Sequence, residues 1–212
     1  MHRPTVVVSL ALTVAIVVLL YQRTRIVYRS DYLLPVRVHL LRGGSVPAVN
    51  CQLTEVDIRR IFSKVAAIWR QARIQIVIDS IVEEEAGNQE SVDATSDTVP
   101  FSALQQLRPS ASLSERMIHV YYVHKMPSNG VCQGLGAIFV QDTAVLRPVE
   151  GGIDEPLPRV TAHELGHAFG LPHREAVTNL MASGTTGAAL NDDEIMVARA
   201  TVAAFPFSRR VD

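Results

Sequence analysis

The chain has 212 residues, 48% hydrophobic and 19% charged, with a net charge of −1. That length suits one domain of ordinary size plus an appendage. The near-neutral balance gives no electrostatic reason to expect nucleic acid or an acidic surface as partner, and no reading of oligomeric state arises from it.

Residues 5–21, "TVVVSLALTVAIVVLLY", carry no charge. As a helix they span about 25 Å, the low end of a membrane crossing. No small-x-small cleavage site follows, so an uncleaved signal anchor is expected over a cleaved leader, which would make the protein secreted. Arg23, Arg25 and Arg29 follow the run, which by the positive-inside tendency puts the body in the cytoplasm. The chemistry of residues 163–173 argues the other way and favours an anchored, extracytoplasmic domain. The division expected is 1–30 as anchor and juxtamembrane stretch, and 31–212 as the folded domain.

In "LLPVRVHLL" (33–41), Val36, Val38 and Leu40 alternate with Arg37 and His39, predicting a half-buried strand. Thr54 and Asp57 have capping-box spacing. Ile58, Ile61, Phe62, Val65, Ile68 and Trp69 then follow at helical spacing, predicting a helix over 55–71. "RIQIVIDSIV" (73–82) reads as a second strand and the acidic stretch 83–99 as a surface loop. "FSALQQL" suits a short helix. "RMIHVYYVH" (116–124) and "GLGAIFV" (134–140) read as a third and a fourth strand. A helix is predicted over 159–169, launched by nearby prolines. A closing helix is signalled by Asn191 with Glu194 three residues on. His39 and His119 read as satisfied or exposed strand histidines, and Trp69 as core. Cys51 and Cys132 sit in no metal or redox spacing and suit either one disulfide or two thiols.

The chemistry lies in "HELGHAFGLPH", residues 163–173. Positions four apart share a helix face, so His163 and His167 can point at one metal. Glu164 projects to the side of that pair and can reach a water on the metal. Gly170 suits a left-handed helix exit, Pro172 prevents the helix resuming, and His173 can return as a third ligand. Three imidazoles leave one coordination position open, the mark of a catalytic zinc site. Zinc so bound lowers its water's pKa toward ~7, with Glu164 as general base and then acid. The five fixed positions make a chance match on the order of 10⁻⁴.

The full H-E-x-x-H-x-x-G-x-x-H motif resembles that of the metzincin metallopeptidases. "NLM" at 179–181 is similar to that family's methionine turn, with Met181 beneath the metal. The eight-residue step from His173 to Met181 most resembles the matrixin branch. The resemblance covers roughly 33–206. It implies an α/β, metzincin-like zincin domain with a twisted mixed sheet, an active-site helix and a C-terminal helix behind the membrane segment. It implies one catalytic zinc, and protein or peptide substrates paired along the strand of "GLGAIFV", at Gly136 and Ala137. Ser183 stands where some relatives place a tyrosine ligand, no cysteine-switch segment precedes the domain, and no cysteines follow His173 as in the archaemetzincin branch. Asp142, Asp154 and Glu155 suggest calcium, though isolated loop carboxylates are more often simply solvated. The rival function is a zinc-binding interaction protein that keeps the fold without turnover. An intramembrane protease is excluded, because the motif helix carries Arg159 and lies far from the apolar run.

Overall fold

The computed structural model describes residues 28–113, 116–134 and 136–212. The apolar run 5–21 lies outside them, and among the described residues no helix is long and apolar enough to cross a membrane.

A six-stranded mixed sheet organises the domain: β1 (Asp31–Arg42), β2 (Ile74–Glu85), β3 (Ile118–Val123), β4 (Gly130–Cys132), β5 (Ile138–Gln141) and β6 (Arg209–Val211). The order across it is β2-β1-β3-β5-β4, with β6 pairing the start of β1. β1, β2, β3 and β5 run parallel, and β4 is antiparallel to β5.

Three helices pack into the core on one face, and a single turn covers the other. In α1 (Glu55–Trp69) the reciprocal Thr54–Asp57 capping box is formed, and Ile58, Ile61, Phe62, Val65, Ile68 and Trp69 are all buried. The element α2 (Phe101–Leu104) is a single turn on the opposite face. α3 (Pro156–Ala168) holds Pro156 and Pro158 in its first turn, where the missing N–H costs nothing. It therefore starts three residues before the predicted boundary. The Tyr122 and Thr161 hydroxyls, 2.7 Å apart, tie it to β3. α4 (Asp192–Ala204) opens with the predicted Asn191–Glu194 box.

Three expectations need correction. β1 is central and buried on both faces: His39 is fully buried, because the segment after β2 folds back across the sheet's second face. Glu83–Glu85, expected in a loop, complete β2, where Glu83 and Glu85 are exposed while Glu84 turns inward to His39. The strand predicted over 134–140 begins only at Ile138 and is not the sheet's edge. Gly136 has φ of +121° and turns the chain between β4 and β5, closed by Gln133 N–H donating to Ala137 O at 2.9 Å. Ala137 is buried, and β4 covers the far side of β5. The edge is β4, and Gly136 and Ala137 do not form it.

Candidate metal centre and its cleft

Helix α3 ends in a Schellman closure. Gly170 N–H donates to His167 O at 3.0 Å and Leu171 N–H to Gly166 O at 2.9 Å, with Gly170 at φ +83°. This exit returns the chain so that His173 faces the two helical histidines. The Nε2 atoms of His163 and His167 are 3.1 Å apart, and those of His167 and His173 are 3.0 Å apart. Among the described residues this is the one group of three or more His, Cys, Asp or Glu placed to share a metal ion.

The ring protons decide what this cluster is for. His163 Nδ1 lies 2.8 Å from Leu180 O, and His167 Nδ1 lies 2.9 Å from Leu171 O. A carbonyl only accepts, so both Nδ1 atoms carry the proton and both Nε2 atoms present lone pairs. Facing lone pairs at such distances repel one another unless a cation lies between them. Tetrahedral zinc with Zn–N bonds near 2.05 Å spaces its nitrogens at about 3.3 Å, close to what is seen. Burial lowers His163 to about 3 and also lowers His167, keeping both neutral as ligands must be. The residues fit zinc.

Beneath this cluster lies Met181, fully buried. Its turn is held by Asn179, whose Oδ1 accepts from Met181 N–H at 2.6 Å and whose Nδ2 donates to Glu194 Oε2 at 2.8 Å. Glu194, itself buried, also accepts from Arg174 at 2.7 Å. The C-terminal helix thus anchors the floor of the site.

Glu164 is 5% exposed. Desolvation raises its carboxyl to about 8, offset in part by the Arg159 charge and the Cys132 backbone N–H. A Cβ at Gly130 would lie 2.7 Å from Glu164 Oε1, so only glycine lets the edge strand pass this close. Two cavities flank Glu164. One, of about 490 Å³, lies toward Cys132, Gly134 and Ala168. The other, of about 360 Å³, lies toward Ser128, Leu146, Val160, Ser183 and Arg159.

The remaining candidates lie elsewhere. Asp154 and Glu155 pair with Lys64 at 2.6 and 3.1 Å, and Glu155 also pairs with Arg60. Asp142 accepts from His124 at 2.9 Å and from Gln52 N–H at 2.6 Å. These carboxylates are thus already partnered and form no cluster. Cys51 and Cys132 are free thiols. Sequence reasoning missed Gly130, Cys132, Asn179, Glu194 and the site role of Arg159. A glycine inside a strand does signal close backbone approach, but β4 is too short to be recognised as one.

No family model and no curated protein matches the sequence. Solved structures do share its architecture. Mirolysin in complex with compound 9 gives a TM-score of 0.56 at 10% identity, over 81% of this chain and 91% of that one. Archaemetzincin from Methanopyrus kandleri gives 0.54 at 16%, over 84% and 99%. Metalloproteinase-II from Bacteroides fragilis gives 0.52 at 15%, over 84% of this chain, which spans 55% of that protein. At these identities the likeness establishes the fold, a metzincin-like zincin fold carrying a histidine triad of metal-ligand chemistry in its cleft.

Proposed function

We propose that this chain is a zinc-dependent endopeptidase acting on protein or peptide substrates. The observation that carries the reading is the convergence of three imidazole Nε2 atoms, those of His163 and His167 presenting lone pairs, with a desolvated carboxyl beside them. A bound zinc ion supplies Lewis acidity, activating water at neutral pH. His163, His167 and His173 hold it, and Met181 supports them from below. Glu164 takes the proton of the attacking water and delivers it to the leaving amine, without a covalent intermediate. An extended peptide pairs with the outer edge of β4 and spans the two cavities. The eight-residue step to Met181 favours a matrixin-like branch. Residues 5–21 would tether the catalytic domain to the outer side of a membrane.

The test uses the full chain in detergent. Metal content and cleavage of a broad peptide library are read together, beside Glu164→Ala. One zinc per chain, with cleavage that disappears in the variant while zinc is retained, supports the peptidase. Stoichiometric zinc without cleavage by the parent favours the interaction-protein reading. Correctly folded protein that binds no zinc refutes both.

A further inference from the structure

Arg159 stands one helical turn before His163, so the two share a face of α3. Its side chain is 2% exposed yet lines the 360 Å³ cavity. Nε donates to Gly187 O at 3.0 Å, and Nη2 donates to Ala182 O and, at 3.5 Å, to Asn179 O. All three acceptors are neutral backbone carbonyls. Nη1 has no hydrogen-bond partner among the described residues, which leaves two of the five guanidinium N–H groups unused.

Among the described residues no carboxylate forms an ion pair with this cation, and the nearby Glu164 charge offsets its burial only in part. Burial lowers its pKa to about 10, so it remains charged at neutral pH. The fourth residue of a helix is also the wrong end for a positive charge, since the helix dipole there already favours anions. A buried, unpaired charge at a position that repels it is costly if its only role is to hold a loop. Apart from Glu164 the cavity lining offers no acid, while Leu146 and Val160 give it apolar walls. The site has the chemistry of a carboxylate receptor with a short aliphatic throat.

Resting on the peptidase reading, we propose that Arg159 is a specificity residue that selects substrates with glutamate or aspartate immediately after the scissile bond. A peptide antiparallel to β4 runs from the Cys132 end toward Ser128. That direction delivers the side chain following the scissile bond into the Arg159 cavity. Its methylenes pack on Leu146 and Val160, and its carboxylate takes the two unused N–H groups of Nη1.

A matched pair of fluorogenic peptides, differing only in Glu or Gln after the scissile bond, tests this on the unmodified full chain. The expected preference in kcat/KM for Glu is about tenfold or more, the size of one charge-assisted hydrogen bond. Equilibrium binding of the same pair to Glu164→Gln, followed by fluorescence anisotropy, should show the same preference without turnover. Because Arg159 also braces the 179–187 segment, Arg159→Leu risks unfolding. Exposed Ser183, at the cavity mouth, gives a safer variant: Ser183→Asp should reduce the preference several-fold by repelling the incoming carboxylate. Equal handling of Glu and Gln in both assays, or no binding of either peptide, overturns the proposal. Preferential binding of the Glu peptide by a parent that cleaves nothing upholds acid recognition and sinks the peptidase reading instead.

Discussion

The sulfur of Met181 occupies the space that a side chain at Gly166 would need: a Cβ built there would lie 2.5 Å from Sδ and 3.1 Å from Cε. Glycine inside a helix costs about 0.5–1 kcal/mol relative to alanine. At Gly166 that cost permits the methionine to sit directly under the histidine-bearing turns of α3. Gly166→Ala should therefore lose more to overpacking, typically about 1–3 kcal/mol, than it gains in helix propensity. Displacement of Met181 should also weaken zinc. Urea unfolding and zinc competition check both parts, and a variant as stable as the parent with unchanged zinc affinity would show that the contact relaxes freely.

Asn179 joins the methionine turn to the C-terminal helix through one accepted and one donated hydrogen bond. Asn179→Ala leaves the buried Met181 N–H without its partner and removes one of the two donors to Glu194 Oε2, which keeps the Asn191 N–H at 2.9 Å. Unsatisfied buried groups cost about 1–3 kcal/mol each, so a loss of at least 1 kcal/mol in unfolding free energy is expected. A double-mutant cycle with Glu194→Gln should return a coupling above about 0.5 kcal/mol, as contacting residues do. Additive effects would mean that the helix and the turn are energetically independent.

The sequence made legible what local chemistry encodes. The stripe of α1 with its Thr54 cap, the Asn191 cap, the histidine spacing and the Gly170 exit all depend on near neighbours in the chain. Hidden were the features that depend on distant ones. β4 and β6 are three residues long, too short to show any alternation. Val92, Val99, Leu104 and Leu107 pack on the second face of the sheet without any period, so nothing marked β1 as buried on both sides. Within the site, Arg159 read as a polar mark on a helix; its unpaired state exists only once the loop carbonyls close around it.

Gly170 at φ +83° places its own test on the Schellman closure. Nothing crowds a Cβ there, the nearest atom outside the turn being Thr201 Oγ1 at 3.5 Å. The penalty for Gly170→Ala is therefore backbone strain alone, about 1–2 kcal/mol. Because the exit angle carries His173 to the other two histidines, zinc affinity should fall along with stability. Thermal unfolding with and without a chelator separates the two. Equal losses in both conditions would confine the effect to the helix end.

The sheet's second face supplies a prediction about acid. His119 Nδ1–H donates to His39 Nε2 at 2.8 Å, and His39 Nδ1–H donates to Glu84 Oε1 at 2.5 Å, with Tyr121 stacked 4.2 Å from the His39 ring. Burial, with His119, Arg37 and Arg108 close by, lowers His39 from 6.5 to about 3, so the imidazole stays neutral in the folded protein. Below pH 6.5 the unfolded chain binds a proton at this position that the folded chain refuses. Stability is therefore fully present above pH 6.5 and drains away as pH falls toward 3, by an amount on the order of 4 kcal/mol. Glu84 acts in the opposite sense: desolvation raises it above 4.5, so the folded state takes up its proton first and recovers part of the loss just above pH 4.5. The net fall is thus steepest between pH 6.5 and the Glu84 range. Guanidinium unfolding of metal-free protein at several pH values measures it. His39→Gln should flatten the profile relative to the parent, with the metal-site histidines contributing equally to both. Parallel profiles for the two proteins would mean that His39 takes up its proton as readily folded as unfolded.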